Sequence, residues 1–391
     1  MRRSLLAAAA ALTSALALPT AAFEIAGCSS GSTPAAAPAA DASLDTGNDT
    51  STTPPGDAAS DGGLVLVTDP DQGMGWFYTF IGTAKKSIDL TMYELTDPMV
   101  TTLLTQAAAS GITVRVILDQ NLEMQSNTTA YGALMTGGVQ VHWANPTYAA
   151  THQKTITIDG TTSAIMSMNL TPDDYVTSRD FAVITSDVAD VAAIEMVFGQ
   201  DFVNASITPP TGDDLVWSPT NAKSSLVGLI AGATSSLYVE NEEMSDDAIV
   251  EALSNAATHG VDVKVIMENS QTYQAEFAEL KAAGVSVVLY RHAALYIHAK
   301  VVLSDFGSAA AKVFVGSENF TNPSLTENRE LGLVTTDPAI LASLHTTLQS
   351  DYDGGTPFQP MDGGTSDAGQ PDTGDVDAQG DDGGEADAGT D

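Results

Sequence analysis

Tyr296–Glu330 reads YIHAKVVLSDFGSAAAKVFVGSENFTNPSLTENRE, and the alternation at its start decides how the rest of the chain is read. Residues two apart in an extended strand project from one face, about 7 Å from each other, so the pattern predicts His298 and Lys300 side by side. An imidazole, with an ordinary pKa of about 6.5, attacks an electrophile or carries a proton, and an ammonium beside it neutralises an anionic oxygen. Downstream, Gly316-Ser317-Glu318-Asn319 closes a second apolar strand with a hydroxyl and an amide. Both groups bind phosphate-like oxygens, and glycine lets such a group come close to the backbone. Glu330 adds a carboxylate able to hold one imidazole nitrogen. Taken singly, these residues fit a strand end, a solvated lysine and a turn.

The set occurs twice, which chance does not readily supply. His152, Lys154, Asp159, Ser167, Asn169 and Asp180 repeat the order His298, Lys300, Asp305, Ser317, Asn319 and Glu330. The two histidines lie 146 residues apart, about the size of one domain. The flanks repeat as well. In the first half, LVLVT, SIDLTMYE, ITVRVILD, VQVHW and RDFAVIT predict strands, and helices are predicted over 75–84, 98–110, 130–135 and 188–202. Asp97-Pro98 has the form of a helix N-cap followed by proline in the first turn. Pro209-Pro210-Thr211-Gly212 marks a boundary. Beyond it SSLYVEN, VDVKVIME and VSVVLYR predict strands, with helices over 223–233, 246–259 and 275–284. Alternating strands and helices predict an α/β fold with one sheet per half, 64–208 and 212–358, each covered by helices on both sides. One chemical set per half places the site at the seam between them.

The ends of the chain are of another kind. Residues 1–23 carry two arginines, an Ala/Leu-rich apolar run and small residues at its close, the pattern of an export signal. Ile25-Ala26-Gly27-Cys28 follows and holds the single cysteine of the chain. It resembles the lipobox of bacterial lipoprotein precursors, which favours a lipidated Cys28 over ordinary cleavage after Ala22. One cysteine makes no internal disulfide. Residues 29–63 and 361–391, rich in Ala, Ser, Thr, Pro, Gly and Asp, read as a disordered tether and a disordered acidic tail.

Formal charge is −36 over 391 residues, with only 14 Lys plus Arg. The portion 64–360 alone carries 34 acidic and 12 basic residues, so the folded part is acidic too. This argues against general affinity for nucleic acid, which needs clustered Lys and Arg. No Walker A run, H-E-x-x-H zinc motif or G-x-S-x-G elbow is present. His142, His259, His292 and His345 stand outside the repeated set, and Trp76, Trp143 and Trp217 read as packing residues.

H-x-K-x-x-x-x-D followed by Ser-x-Asn, found in both halves, resembles the signature of the phospholipase D superfamily, and the likeness runs along about 64–358. The resemblance implies two pseudo-twofold-related α/β lobes, each a mixed β-sheet flanked by helices, in a two-lobed monomer. It implies a phosphodiesterase site at the lobe interface that uses no metal and no cofactor, with His152 as nucleophile forming a phosphohistidine and His298 as the acid. Lys154, Lys300, Ser167, Asn169, Ser317 and Asn319 would bind phosphate. Asp180 would orient His152, Glu330 would orient the other imidazole, and Asp159 and Asp305 would be structural. Two departures fall in the first half: Met166 stands where the family has glycine, and Asp180 where it has glutamate.

Within that superfamily the acidic surface favours hydrolysis of phospholipid head groups, with exchange to an alcohol as a branch, by an exported enzyme held at the membrane through Cys28. An exported nuclease, a cardiolipin synthase-like phosphatidyltransferase and an inactive binding protein are the alternatives.

Overall fold

The computed structural model describes residues 63–360. The export signal, Cys28, nearly all of the tether and the acidic tail lie outside the described residues. The first lobe runs β1 (Val65–Asp69), α1 (Gly75–Gly82), β2 (Ser87–Met92), α2 (Pro98–Ala109), β3 (Thr113–Leu118), α3 (Met124–Thr136), β4 (Gln140–Trp143), β5 (Thr155–Ile158), β6 (Thr162–Met166), β7 (Ser178–Thr185) and α4 (Val188–Asp201). The second repeats it with β8 (Leu215–Ser218), α5 (Ala222–Ala231), β9 (Ser236–Asn241), α6 (Asp247–Thr258), β10 (Asp262–Glu268), α7 (Gln274–Ala282) and β11 (Ser286–Tyr290). It continues with β12 (Tyr296–Ile297), β13 (Val301–Ser304), β14 (Lys312–Gly316), α8 (Asn322–Thr326), β15 (Glu330–Thr335), α9 (Pro338–Gly354) and β16 (Thr356–Pro357).

The sheets are built alike, in the order β1-β7-β6-β5-β2-β3-β4 and β16-β11-β10-β9-β13-β14-β15-β8. In each, three parallel strands (β2 to β4, β9 to β11) join an antiparallel group, so both sheets are mixed. The parallel part follows from its helical crossovers. Those crossovers start where the sequence says: Asp97 accepts from the amides of Met99 and Val100, and Asp246 from those of Ala248 and Ile249. The expected start of α3 at residue 130 is corrected to Met124, because Glu123 caps it through no side-chain bond and leaves no residue signal. The 17 residues of α9 fall where no helix was expected, although Asp337-Pro338 opens it as Asp97-Pro98 opens α2.

Helices cover both faces of each sheet, three on the outer face and one, α4 or α9, on part of the inner face. Helices α1–α3 bury Phe77, Leu104 and Leu134 against Leu90, Val116 and Ile156 of the first sheet. Helices α5–α7 bury Leu226, Leu253 and Phe277 against Val239, Val265 and Val302 of the second. The other two faces meet each other through Ile165, Phe181 and Val183 on one side and Ile266, Val301, Val315 and Leu331 on the other, with α4 and α9 beside them. Burial on both faces explains why these strands read as nearly continuous apolar runs.

Two buried arginines tie the lobes together. Arg179, the second residue of β7, donates to Asp351 of α9 at 2.7 and 3.1 Å. Arg329, just before β15, pairs with Asp201 of α4 at 2.9 Å and bonds the hydroxyl of Tyr148. Replacing Arg329 by leucine leaves Asp201 buried without its partner, and we expect a loss of about 3 kcal/mol in urea denaturation. The double variant R329L/D201L should regain most of that loss; a double variant as unstable as R329L would contradict the pairing.

Candidate active site

Both His-x-Lys segments lie where the chain passes from one lobe's backbone to its own sheet. Tyr296 and Ile297 pair with Ser178 and Arg179 of β7, and the amide of His298 donates to the Arg179 carbonyl at 3.3 Å. Val301 then joins β9 and β14. In the other half Thr151 bridges to Arg329, the amide of Gln153 donates to the Arg329 carbonyl at 2.9 Å, and Thr155 joins β2 and β6. The single strand expected to carry His298 and Lys300 is therefore corrected to an extended break between β12 and β13. A segment that changes sheets cannot keep one ladder, but its side chains still alternate.

Asp159 and Asp305 fix these crossings from below. Each has a positive φ, 56° and 52°, in the turn after β5 or β13, a region that aspartate tolerates better than most residues. Their carboxylates accept from three successive amides each, of Lys85, Lys86 and Ser87, and of Thr234, Ser235 and Ser236. These bonds outweigh what burial there is and hold the Asp305 carboxyl down to about 2.

The carboxylates that hold the imidazoles come from the opposite lobe. Glu330 meets Nδ1 of His152 at 2.8 Å, and Asp180 meets Nδ1 of His298 at 2.8 Å. The expected pairing of Asp180 with His152 is corrected: β7 and β15 each follow the crossing of the other lobe's chain, so the carboxylate at the start of each strand faces the other lobe's histidine. Each Nδ1 is engaged, which leaves Nε2 as the reacting nitrogen. Ser324 and Asn328 fasten the far oxygen of Glu330 at 2.6 and 3.0 Å.

Ser167 and Ser317 are not available to phosphate. Both are fully buried; the Ser167 hydroxyl donates to Asp180 at 2.5 Å and accepts from the amide of Phe181, and Ser317 accepts from the amide of Leu331. Their expected role is corrected to bracing β7 and β15 beside the two carboxylates. Asn169 and Asn319 are placed differently: the buried Oδ1 of each has no partner among the described residues. The two lysines turn back on their own segments, Lys154 to the His152 carbonyl at 2.9 Å and Lys300 to that of His298.

Electrostatics separate the halves. Burial, together with Lys154, pulls the His152 imidazole below its ordinary value against the upward push of Glu330. Burial and the nearby Lys300 ammonium bring Lys154 down to about 7. The Lys300 ammonium belongs to the other lobe, so the charge acting on Lys154 reaches it across the seam. Met166, the departure from glycine, sits with Met168 in the apolar outer core opposite Ala182. In the second lobe Gly316 pairs with Gly332, and the Glu318 carboxyl occupies the gap; a Cβ on either glycine would come within 2.4 or 3.0 Å of its oxygen.

Two residues of the site escaped the reading of the sequence. Tyr93 and Glu242 follow β2 and β9 directly, at the carboxyl ends of parallel strands where ligands of α/β sheets gather. The Tyr93 ring lies 4.6 Å from that of His152 and 4.7 Å from the Lys154 ammonium. Glu242 bonds Lys300 at 2.9 Å and Asn319 at 3.2 Å. Aligning SIDLTMYELTD with SLYVENEEMSD superposes the two positions and would have found them.

Comparison with known proteins agrees with this architecture. The family described as "Cardiolipin synthase, PLD-like domain" matches twice, at residues 77–202 and 226–352. The chain belongs to that family, within the phospholipase D superfamily. Cardiolipin synthase A of Pseudomonas putida is 26% identical across 64% of this chain and 59% of its own length. Cardiolipin synthase A of Pseudomonas aeruginosa is 24% identical across 66% and 60%. The chain thus spans about three fifths of the length of these relatives. Among solved structures, phosphatidylserine synthase of Haemophilus influenzae shares the fold with a TM-score of 0.57, covering 75% of this chain and 87% of its own at 12% identity. Polyphosphate kinase of Porphyromonas gingivalis does so with a TM-score of 0.59, covering 74% and 50% at 14% identity.

The crossed pairing predicts which histidine responds to which carboxylate. In D180N, imidazole nitrogen NMR should show the Nδ1 resonance of His298 moving and that of His152 staying in place; the reverse pattern would refute the crossing.

Proposed function

We propose that the chain transfers the phosphatidyl group of a phospholipid by two in-line displacements through a phosphohistidine on His152, with an alcohol or water as acceptor. The observation that supports it is the crossed pair of carboxylate-held imidazoles, one from each lobe, each with a lysine bonded to its own segment beside it. Burial and Lys154 keep His152 neutral, so its Nε2 lone pair attacks phosphorus while the bond to the head-group oxygen breaks. His298 has a carboxylate toward each nitrogen, Asp180 on Nδ1 and Glu242 at 3.7 Å from Nε2, so both nitrogens can donate. Its Nε2 proton passes to the departing oxygen. In the second step the acceptor hydroxyl returns a proton to His298 as its oxygen attacks phosphorus, and the bond to His152 breaks. Lys154, Lys300, Asn169 and Asn319 take up the charge on the phosphoryl oxygens.

The names of the relatives favour an alcohol as acceptor over the water expected from the sequence. The acidic folded part supports a lipid over a nucleic acid. On this reading the enzyme is exported and held at the membrane by lipid on Cys28; no helix among the described residues is long and apolar enough to cross a membrane.

Rapid acid-free quenching with a phosphate-labelled phospholipid should trap label on the wild-type chain and none on H152A, whose turnover should fall at least about 10³-fold with the fold retained. Label on H152A would overturn the assignment. Because Lys154 carries its charge only below about 7, kcat/KM should fall as pH rises through that value, tenfold per unit beyond it. A profile flat from pH 6 to 9 would remove Lys154 from phosphate binding.

A further inference from the structure

At equivalent positions the first lobe offers its lysine an aromatic ring and the second offers a carboxylate. The Glu242 Oε2 lies 2.9 Å from Nζ of Lys300, 3.2 Å from Nδ2 of Asn319 and 3.7 Å from Nε2 of His298, while Oε1 accepts from the Tyr296 hydroxyl. An ammonium, an amide and an imidazole nitrogen are the donors a non-bridging phosphate oxygen would take in that lobe. Lys300 and His298 outweigh burial and hold Glu242 well below the usual carboxylate range, so it is an internal anion on half of the phosphate site.

Two anions cannot share those donors, because like charges a few ångströms apart repel strongly where water is scarce. A phosphodiester that takes Lys300 and Asn319 must turn Glu242 aside. The side chain is only 18% exposed and is tethered at the end of β9, so it stays beside His298, the end from which the alcohol departs. A largely buried carboxylate stripped of its ammonium is unfavourable unless a new cation replaces it. Beside it, Tyr296 stacks on His292 with ring centroids 4.0 Å apart, and aromatic faces accept a cation well.

We propose that Glu242 is a specificity-determining residue that selects phosphodiesters whose leaving alcohol carries an ammonium close to the phosphate. This rests on the reading of these residues as a phosphodiester site. Lys300 exchanges the carboxylate for phosphate, and Glu242 exchanges Lys300 for the head-group cation. An uncharged or anionic head group completes only the first exchange.

Phosphoethanolamine and ethyl phosphate differ in the ammonium alone, and titration calorimetry with each tests the proposal on the wild-type chain, E242Q and E242A. The wild type should bind phosphoethanolamine at least about tenfold more tightly. In E242Q, which keeps the size and loses the charge, ethyl phosphate should tighten and the ratio should fall to within about twofold; E242A should move the same way. A ratio near one in the wild type, or a ratio preserved in both variants, overturns the role of Glu242. Neither probe is a lipid, so the two readings fail separately. A chain with the expected ratios that turns over no phospholipid loses the proposed function and keeps the selector, whereas a lipid-active chain with unchanged ratios loses the selector alone.

Discussion

Everything at the site depends on two hydrogen bonds that cross the seam, Glu330 to His152 and Asp180 to His298. Neither lobe can orient its own imidazole, so neither is a complete catalytic unit. This constraint explains why so much of the polar chemistry of the molecule is buried between the sheets. The carboxylates must sit within reach of the opposite histidine, so β7 and β15 must run side by side with the other lobe's His-x-Lys segment. The pairing of β12 with β7 and the bridge from Thr151 to Arg329 accomplish this through the backbone. Arg179 and Arg329, each one residue before the crossing carboxylate, carry the same register outward to Asp351 and Asp201.

Such buried ion pairs contribute little net stability compared with apolar packing, since their desolvation offsets most of their attraction. Their value is in register. A slide of one residue along β7 would turn Asp180 away from His298 and bring an apolar neighbour into its place. The apolar seam of Phe181, Val183, Val315 and Leu331 tolerates small displacements, but a forked guanidinium on a carboxylate does not.

The duplication, most of the strands and helices and the members of the histidine, lysine and aspartate sets were legible because each is a local pattern. Asp97 and Asp246 state their helices, and the repeated spacing states the symmetry. What was not legible depends on which surfaces meet. That one helix covers only part of each inner face and the other lobe covers the rest follows from the lobes closing on each other, and an apolar run looks the same under a helix or a second sheet. The crossing of Asp180 and Glu330 has the same origin, as sequence order ties a carboxylate to the histidine of its own repeat. Ser167 and Ser317 looked like phosphate ligands because a hydroxyl beside a glycine serves either purpose, and only their full burial decides between them.

A duplicated scaffold begins with two equal histidines, yet a double displacement needs one to attack and the other to carry the proton. The symmetry must therefore break at the site, and here it breaks one residue beyond β2 and β9. Tyr93 closes over His152 and Lys154 without adding charge, in keeping with a neutral, buried nucleophile. Glu242 adds a carboxylate to His298 and Lys300, in keeping with a nitrogen that must hold and release a proton. The strands, turns and crossings that position both histidines are common to the two halves. The difference in chemistry is thus confined to side chains that the framework presents but does not depend on, so a duplicated fold can give its two halves unlike roles without changing either backbone.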